Sequence, residues 1–112
     1  MAKPRLIGFQ DLEFAPRFEY GHMAQAVEVC GSKDLTELGT GFARMTAAEI
    51  PWTVKYDEII LVIEGEFTVV TDDGEYTAGP KDSIWLPKGT KLTYRAENAL
   101  VFYAIHPANW AG

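Results

Sequence analysis

Apolar and polar residues alternate along short stretches of the chain, and turn-forming clusters interrupt them at intervals too close for helices. The clearest strand covers 59–63, Ile-Ile-Leu-Val-Ile, and ends at a turn marked by Gly65. Alternation resumes over 66–71, and Asp72-Asp73-Gly74 follows as a hairpin signal, because Asp and Gly tolerate the positive φ of such turns. Residues 75–78 return from that turn. A strand over 83–86 is stopped by Pro87, which has no N–H to give to a ladder. Residues 91–94 and 100–105 complete the β series in the second half. In the first half, 24–30 and 40–45 alternate more weakly and also read as strands. Residues 9–18 contain turn-like prolines and read as a capping arm. No stretch of useful length carries a helical stripe.

These elements predict an all-β fold in one domain. Residues 1–37 would supply an arm and edge strands, and residues 38–112 the barrel core. A chain of 112 residues and 12.5 kDa suits a single domain and should bury about two thirds of its unfolded surface, leaving roughly 6,200 Å² accessible. The net charge of −6 opposes binding to phosphate backbones and anionic lipid, so nucleic-acid and membrane partners are not expected. Cys30 is the single cysteine, so no internal disulfide can form, and a reducing, cytoplasmic location is expected. No signal peptide or membrane-spanning run is read from the sequence.

Two segments carry a family resemblance. Glu58, six residues and Gly65 are similar to the end of the first cupin motif, which usually reads H-x-H, three or four residues, E, six residues, G. Asp82-Ser-Ile-Trp-Leu-Pro-Lys-Gly89 resembles the core of the second. The resemblance implies a double-stranded β-helix, a jelly-roll-like conical barrel. The family's metal-binding histidines are missing. Counting back from Glu58, they would fall on Trp52 and Val54, or on Pro51 and Thr53, and the third on Leu92. Lys81 stands where the second motif usually begins with Gly. One carboxylate does not hold a transition metal against water, so no metal and no cofactor is expected. Within the cupins, Pro51-Trp-Thr-Val-Lys-Tyr-Asp-Glu58, Leu38-Gly-Thr-Gly-Phe42 and Pro107-Ala-Asn-Trp110 resemble the EutQ family of ethanolamine-utilization proteins. That resemblance implies the barrel part of longer proteins, an association with bacterial microcompartments and, in some members, acetate kinase activity. It also implies a homodimer, and an open sheet edge needs covering in any case. The terminal segment 108–112 is a candidate for that packing.

Strand pleating places Trp52, Val54, Tyr56 and Glu58 on one face if the pleat is unbroken, with Leu92 and Tyr94 on the same side of a later hairpin. Glu58 is the candidate central group. Buried among aromatics, its pKa should rise, which suits a general acid or base with Tyr56 as partner. The competing reading has Glu58 pair with Arg44, Lys55 or a phenol and only shape the barrel mouth. Arg44, Trp52, Thr53, Tyr94 and His106 are the candidate ligand-binding residues, and Asp57 is expected to face away from Glu58. The leading functional expectation is a barrel that binds a small carboxylate or phosphorylated metabolite, with acetate-kinase-like chemistry in view. The alternative is a non-enzymatic dimeric module docking on a microcompartment or partner enzyme. A third is an atypical metalloenzyme using His106, Glu58 and a tyrosine.

Overall fold

The computed structural model describes residues 3–111, apart from the side chain of Phe18; Gly112, the last residue of the expected 108–112 packing segment, lies outside the described residues. Eight strands form one antiparallel system: β1 (Ala15–Pro16), β2 (Ala24–Cys30), β3 (Gly39–Thr53), β4 (Asp57–Gly65), β5 (Phe67–Thr71), β6 (Gly74–Ala78), β7 (Ser83–Leu86) and β8 (Lys91–His106). Their order is β1-β2-β3-β8-β4-β7, with β5 bonded to β8 and to β6. The fold is all-β, a cupin barrel.

The long ribbon of β3 and β8 organises it. These strands pair from Gly39↔Ile105 to Thr53↔Lys91. On its other edge β8 serves two neighbours in turn, β4 along residues 99–106 and β5 along 93–95. The change of partner falls at Gly65, which has φ +80° and lies opposite Ala99. A Cβ there would strike the carbonyl oxygen of Asn98, so only glycine turns this corner. Lys81 takes up φ +78° at the position the motif usually gives to glycine, a conformation that strains an L side chain.

Two strands are longer than the residue pattern predicts. The expected strand 40–45 continues to Thr53 through Pro51. Val54 donates its N–H to Thr90 across the ladder, so alternate residues such as Pro51 turn their nitrogens away from β8. Beyond Met45 no strand among the described residues bonds to that other side, and proline costs no hydrogen bond there. The segments 91–94 and 100–105 merge into β8, because Arg95, Ala96, Asn98 and Ala99 pair with β3, and Arg95 and Ala99 also pair with β5 and β4, despite weak strand propensity.

The core is built from inward-facing alternate residues: Glu58, Ile60 and Val62 of β4, Phe67 and Val69 of β5, and Leu92, Tyr94 and Ala96 of β8. The arm covers part of the outer sheet face. Phe9 stacks edge-on against Phe42 at 5.1 Å, and Phe42 against Phe102 at 5.1 Å. The accessible surface, 7108 Å², exceeds the compact-sphere expectation because the molecule is elongated, 44 × 29 × 28 Å. Among the described residues no helix is long and apolar enough to cross a membrane.

Candidate functional site

A cavity of about 450 Å³ opens at one end of the barrel, a size suited to a small metabolite. Its inner wall is apolar, with Ala43, Met45, Ile60, Phe67 and Val101. Arg17, Glu28 and Ser32 line it as well, and their partial or full exposure places them at the rim.

Glu58 is set into this cavity by the pleat of β4, next to Asp57, which faces outward. Asp57 accepts the backbone N–H of Lys88 at 2.9 Å and so ties the start of β4 to the turn after Pro87. Glu58 is 6% exposed. Tyr94, from β8, donates its hydroxyl to Oε1 of Glu58 at 2.8 Å, while its ring leans on Phe67 at 5.6 Å. Glu58 therefore takes the phenol among the three partners its sequence allowed. Its second oxygen has no hydrogen-bond partner among the described residues. No buried side-chain oxygen or nitrogen among them is left unpaired, so Oε2 is open to the cavity.

Burial pushes the Glu58 carboxyl up to about 7, against the pull of the Tyr94 hydrogen bond and the Arg17 charge. Burial raises Tyr56 to about 12, with the Glu58 charge adding to it. Tyr94 is driven further up by burial and then by Glu58, and Tyr103 is raised chiefly by burial. The phenols stay protonated over the working pH range and act as hydrogen-bond donors.

Tyr56 does not sit on a continuous strand with Glu58. The pleat breaks over residues 54–56, between β3 and β4. Tyr56 is buried nonetheless, because its ring packs on Trp110 at 5.1 Å and its oxygen accepts Trp52 Nε1–H at 3.3 Å. With its oxygen occupied in this way, its own proton is available to the cavity. Trp110 also meets Trp52 at 5.9 Å and lines the cavity, so the terminal segment closes part of the cavity wall.

Several expected site residues lie elsewhere. Arg44 is not in the cavity: its neighbours Ala43 and Met45 point inward, and its guanidinium rests over Phe14 on the outer face, 5.9 Å from the ring centre. Trp52 does not line the cavity but stands behind Tyr56. Thr53 ends β3 opposite Lys91, outside the lining. His106 is exposed opposite Asp57, so His106 and the buried Glu58 do not converge on one ion. Val54 and Leu92, at two of the old histidine positions, are buried in the core. Among the described residues no three His, Cys, Asp or Glu side chains cluster, and one carboxylate among high-pKa phenols does not suit a metal ion.

The residue pattern missed Arg17, Tyr103 and Trp110. Tyr103 shares parity with Val101 and Ile105, a signal present in the 100–105 run. It is accommodated by Gly41, where a Cβ would collide with the Tyr103 hydroxyl and the Val27 carbonyl. Nothing local marks Arg17, which the arm brings to the rim through the short pairing of β1 with β2. Cys30 also reaches the cavity, with its sulfur 3.2 Å from the Thr40 hydroxyl.

A family model described as "Ethanolamine utilisation protein EutQ" matches residues 17–112. The protein called "Acetate kinase EutQ" in Clostridioides difficile strain 630 is 35% identical over 75 residues, covering 66% of this chain. The chain spans about half, 48%, of that relative's length. The crystal structure of a putative ethanolamine utilization protein Q from Salmonella typhimurium LT2 superposes with TM-score 0.73 at 29% identity, covering 77% of this chain and 71% of the other. An RmlC-like cupin from Shewanella frigidimarina matches with TM-score 0.76 at 15% identity, over 95% of this chain and 93% of its own, a likeness of fold.

Proposed function

The chain belongs to the EutQ family of ethanolamine utilisation proteins, and from that premise we propose that its cavity binds a small carboxylate or phosphorylated metabolite, with Glu58 as the central polar group and proton carrier. The observation that carries this reading is the buried Glu58–Tyr94 pair, with one carboxyl oxygen fixed and the other turned to the cavity. A carboxyl that titrates near 7 accepts and returns protons at neutral pH, the property required of a general acid or base. The Arg17 guanidinium at the rim supplies attraction for an anionic ligand. Acetate-kinase-like chemistry, the activity in the names of the relatives, would place the small acid inside and its phosphate at the rim beside Arg17.

The experiment is a melting-shift series with acetate, acetyl phosphate and ATP-Mg on the chain and on Glu58→Gln. Stabilisation by a small acid that is lost in the variant is the expected outcome. Absence of any shift across the series removes the reading.

A second reading, a dimeric assembly module, draws on the bare outer face of β4 and β7. Ile59 and Trp85 are cross-strand partners there, 43% and 57% exposed, and Ile63 is 40% exposed. Apolar side chains exposed side by side suit contact with a second copy or a partner protein.

A further inference from the structure

The cavity holds the parts of a proton-transfer site in a particular arrangement. Tyr94 engages one oxygen of Glu58, which fixes the carboxylate plane, while Oε2 is open to the cavity. Tyr56 and Tyr103 both line the same space. The Tyr56 oxygen is already occupied by the Trp52 N–H, so the role left to this phenol is to donate. Tyr103 makes no hydrogen bond to another described side chain, and by the same reasoning as for Oε2 its hydroxyl is open to the cavity. The walls between these groups are aliphatic and aromatic, so charge developing on a ligand oxygen is met by fixed donors rather than by bulk water. The single guanidinium of the lining, Arg17, lies at the rim.

This geometry assigns the cavity a reaction: we propose that Glu58 removes an α-proton from a small enolisable 2-oxo acid, while the Tyr56 and Tyr103 hydroxyls hold the oxygen of the resulting enolate and Arg17 pairs with the ligand carboxylate. The inference rests on the preceding reading that a small acid occupies the cavity. In the step, the ligand C–H bond breaks and an O–H bond forms at Glu58 Oε2. The C–H electron pair becomes the C=C bond, and the carbonyl π pair moves onto oxygen. Glu58 then returns a proton to carbon, at the same position or at a vinylogous one. No oxidant, reductant or group donor enters the balance. The carboxylate form of Glu58 is the active base. Around it stand Arg17 from the arm, Glu28 and Cys30 from β2, Tyr56 from the β3–β4 turn, and Tyr94 and Tyr103 from β8. Of these, Arg17 favours the ionised form, and the phenols remain protonated where Glu58 titrates.

The test uses pyruvate and 2-oxobutyrate as probes in D2O, with loss of the α-proton signal followed by NMR. Saturation-transfer measurements on the same samples report binding separately. Exchange at least tenfold above the buffer rate is expected, rising with pH through a single ionisation near 7. Glu58→Gln should fall to background, and Tyr103→Phe should slow turnover more than it weakens binding. Glu58→Asp, which keeps the base but withdraws it by one methylene, should retain partial exchange, and each variant's melting curve establishes that it is folded. Binding of the probes without exchange overturns the inference and leaves the binding reading standing. Absence of both binding and exchange overturns both. Exchange in Glu58→Gln at the rate of the parent chain overturns the assignment of the base.

Discussion

Replacing Glu58 by Gln isolates what it costs the barrel to bury a carboxylate. The folded protein binds the Glu58 proton more tightly than the unfolded chain does, because burial raises the group from its ordinary 4.5 to about 7. Its contribution to stability is therefore fully present below pH 4.5 and is lost as pH rises to about 7, after which the loss is constant. The interval corresponds to about 3 kcal/mol, at about 1.4 kcal/mol for each pH unit. The neutral amide of Gln accepts the Tyr94 hydroxyl through its carbonyl oxygen, so the 2.8 Å contact survives and only the charge is removed. The assay is urea unfolding of both proteins at pH 4.5 and pH 8.5. At the acid end the two midpoints should nearly coincide. At the alkaline end the variant should be more stable by up to about 3 kcal/mol, a midpoint shift of about 2 M for a slope near 1.5 kcal/mol/M. Taking the difference between the proteins cancels every other titrating group. A gap between parent and variant that is the same at both pH values would refute the reasoning, since it would place the Glu58 carboxylate in water-like surroundings.

Phe67→Ala should lower stability by about 3–5 kcal/mol, because Phe67 is fully buried and supports the ring of Tyr94; calorimetry on the two proteins measures it. Gly41→Ala should displace Tyr103 from the cavity wall and destabilise by more than 1 kcal/mol, with a Tyr103 ring resonance shift in NMR as the readout; an unchanged spectrum would contradict the close approach. Alkylating Cys30 with N-ethylmaleimide should block small-acid binding, since its sulfur lies in the cavity lining; ligand titration before and after labelling decides it. Trp85→Asp should lower the self-association of the chain in sedimentation while leaving its melting temperature within about 2 °C, because the side chain is exposed on an outer face.

The strand positions, the turns and the barrel class follow from local information. Period-two alternation puts Glu58, Ile60 and Val62 on one face whatever the surroundings, and Asp-Gly and Pro-Lys-Gly end strands through their own backbone preferences. The spacing of Glu58, Gly65 and the Pro87-Lys-Gly89 turn is enough to reach the cupins, segments 38–42, 51–58 and 107–110 to reach the EutQ family, and the residue types at the motif's histidine positions to doubt the metal. Of the site, Glu58 and Tyr94 were legible from parity and composition, whereas Tyr56 reaches the cavity although the pleat that suggested it is broken over 54–56.

The rest depends on contacts between residues far apart along the chain. Arg44 lies within β3 and Arg17 just after β1, and no local pattern tells which of the two arginines reaches the cavity. The pairing of β1 with β2 carries one to the cavity rim, while the β3 pleat turns the other onto Phe14. Trp52 looks like a pocket wall until the break at 54–56 shows that it reaches the cavity only through Tyr56. Trp110 and Tyr103 enter the site through the packing of the last residues and through a missing Cβ at Gly41, more than sixty positions earlier. A pleat decides which way a side chain points, and it does so within a few residues. Which other side chains it meets there depends on strand register and corner geometry, which are properties of the closed barrel.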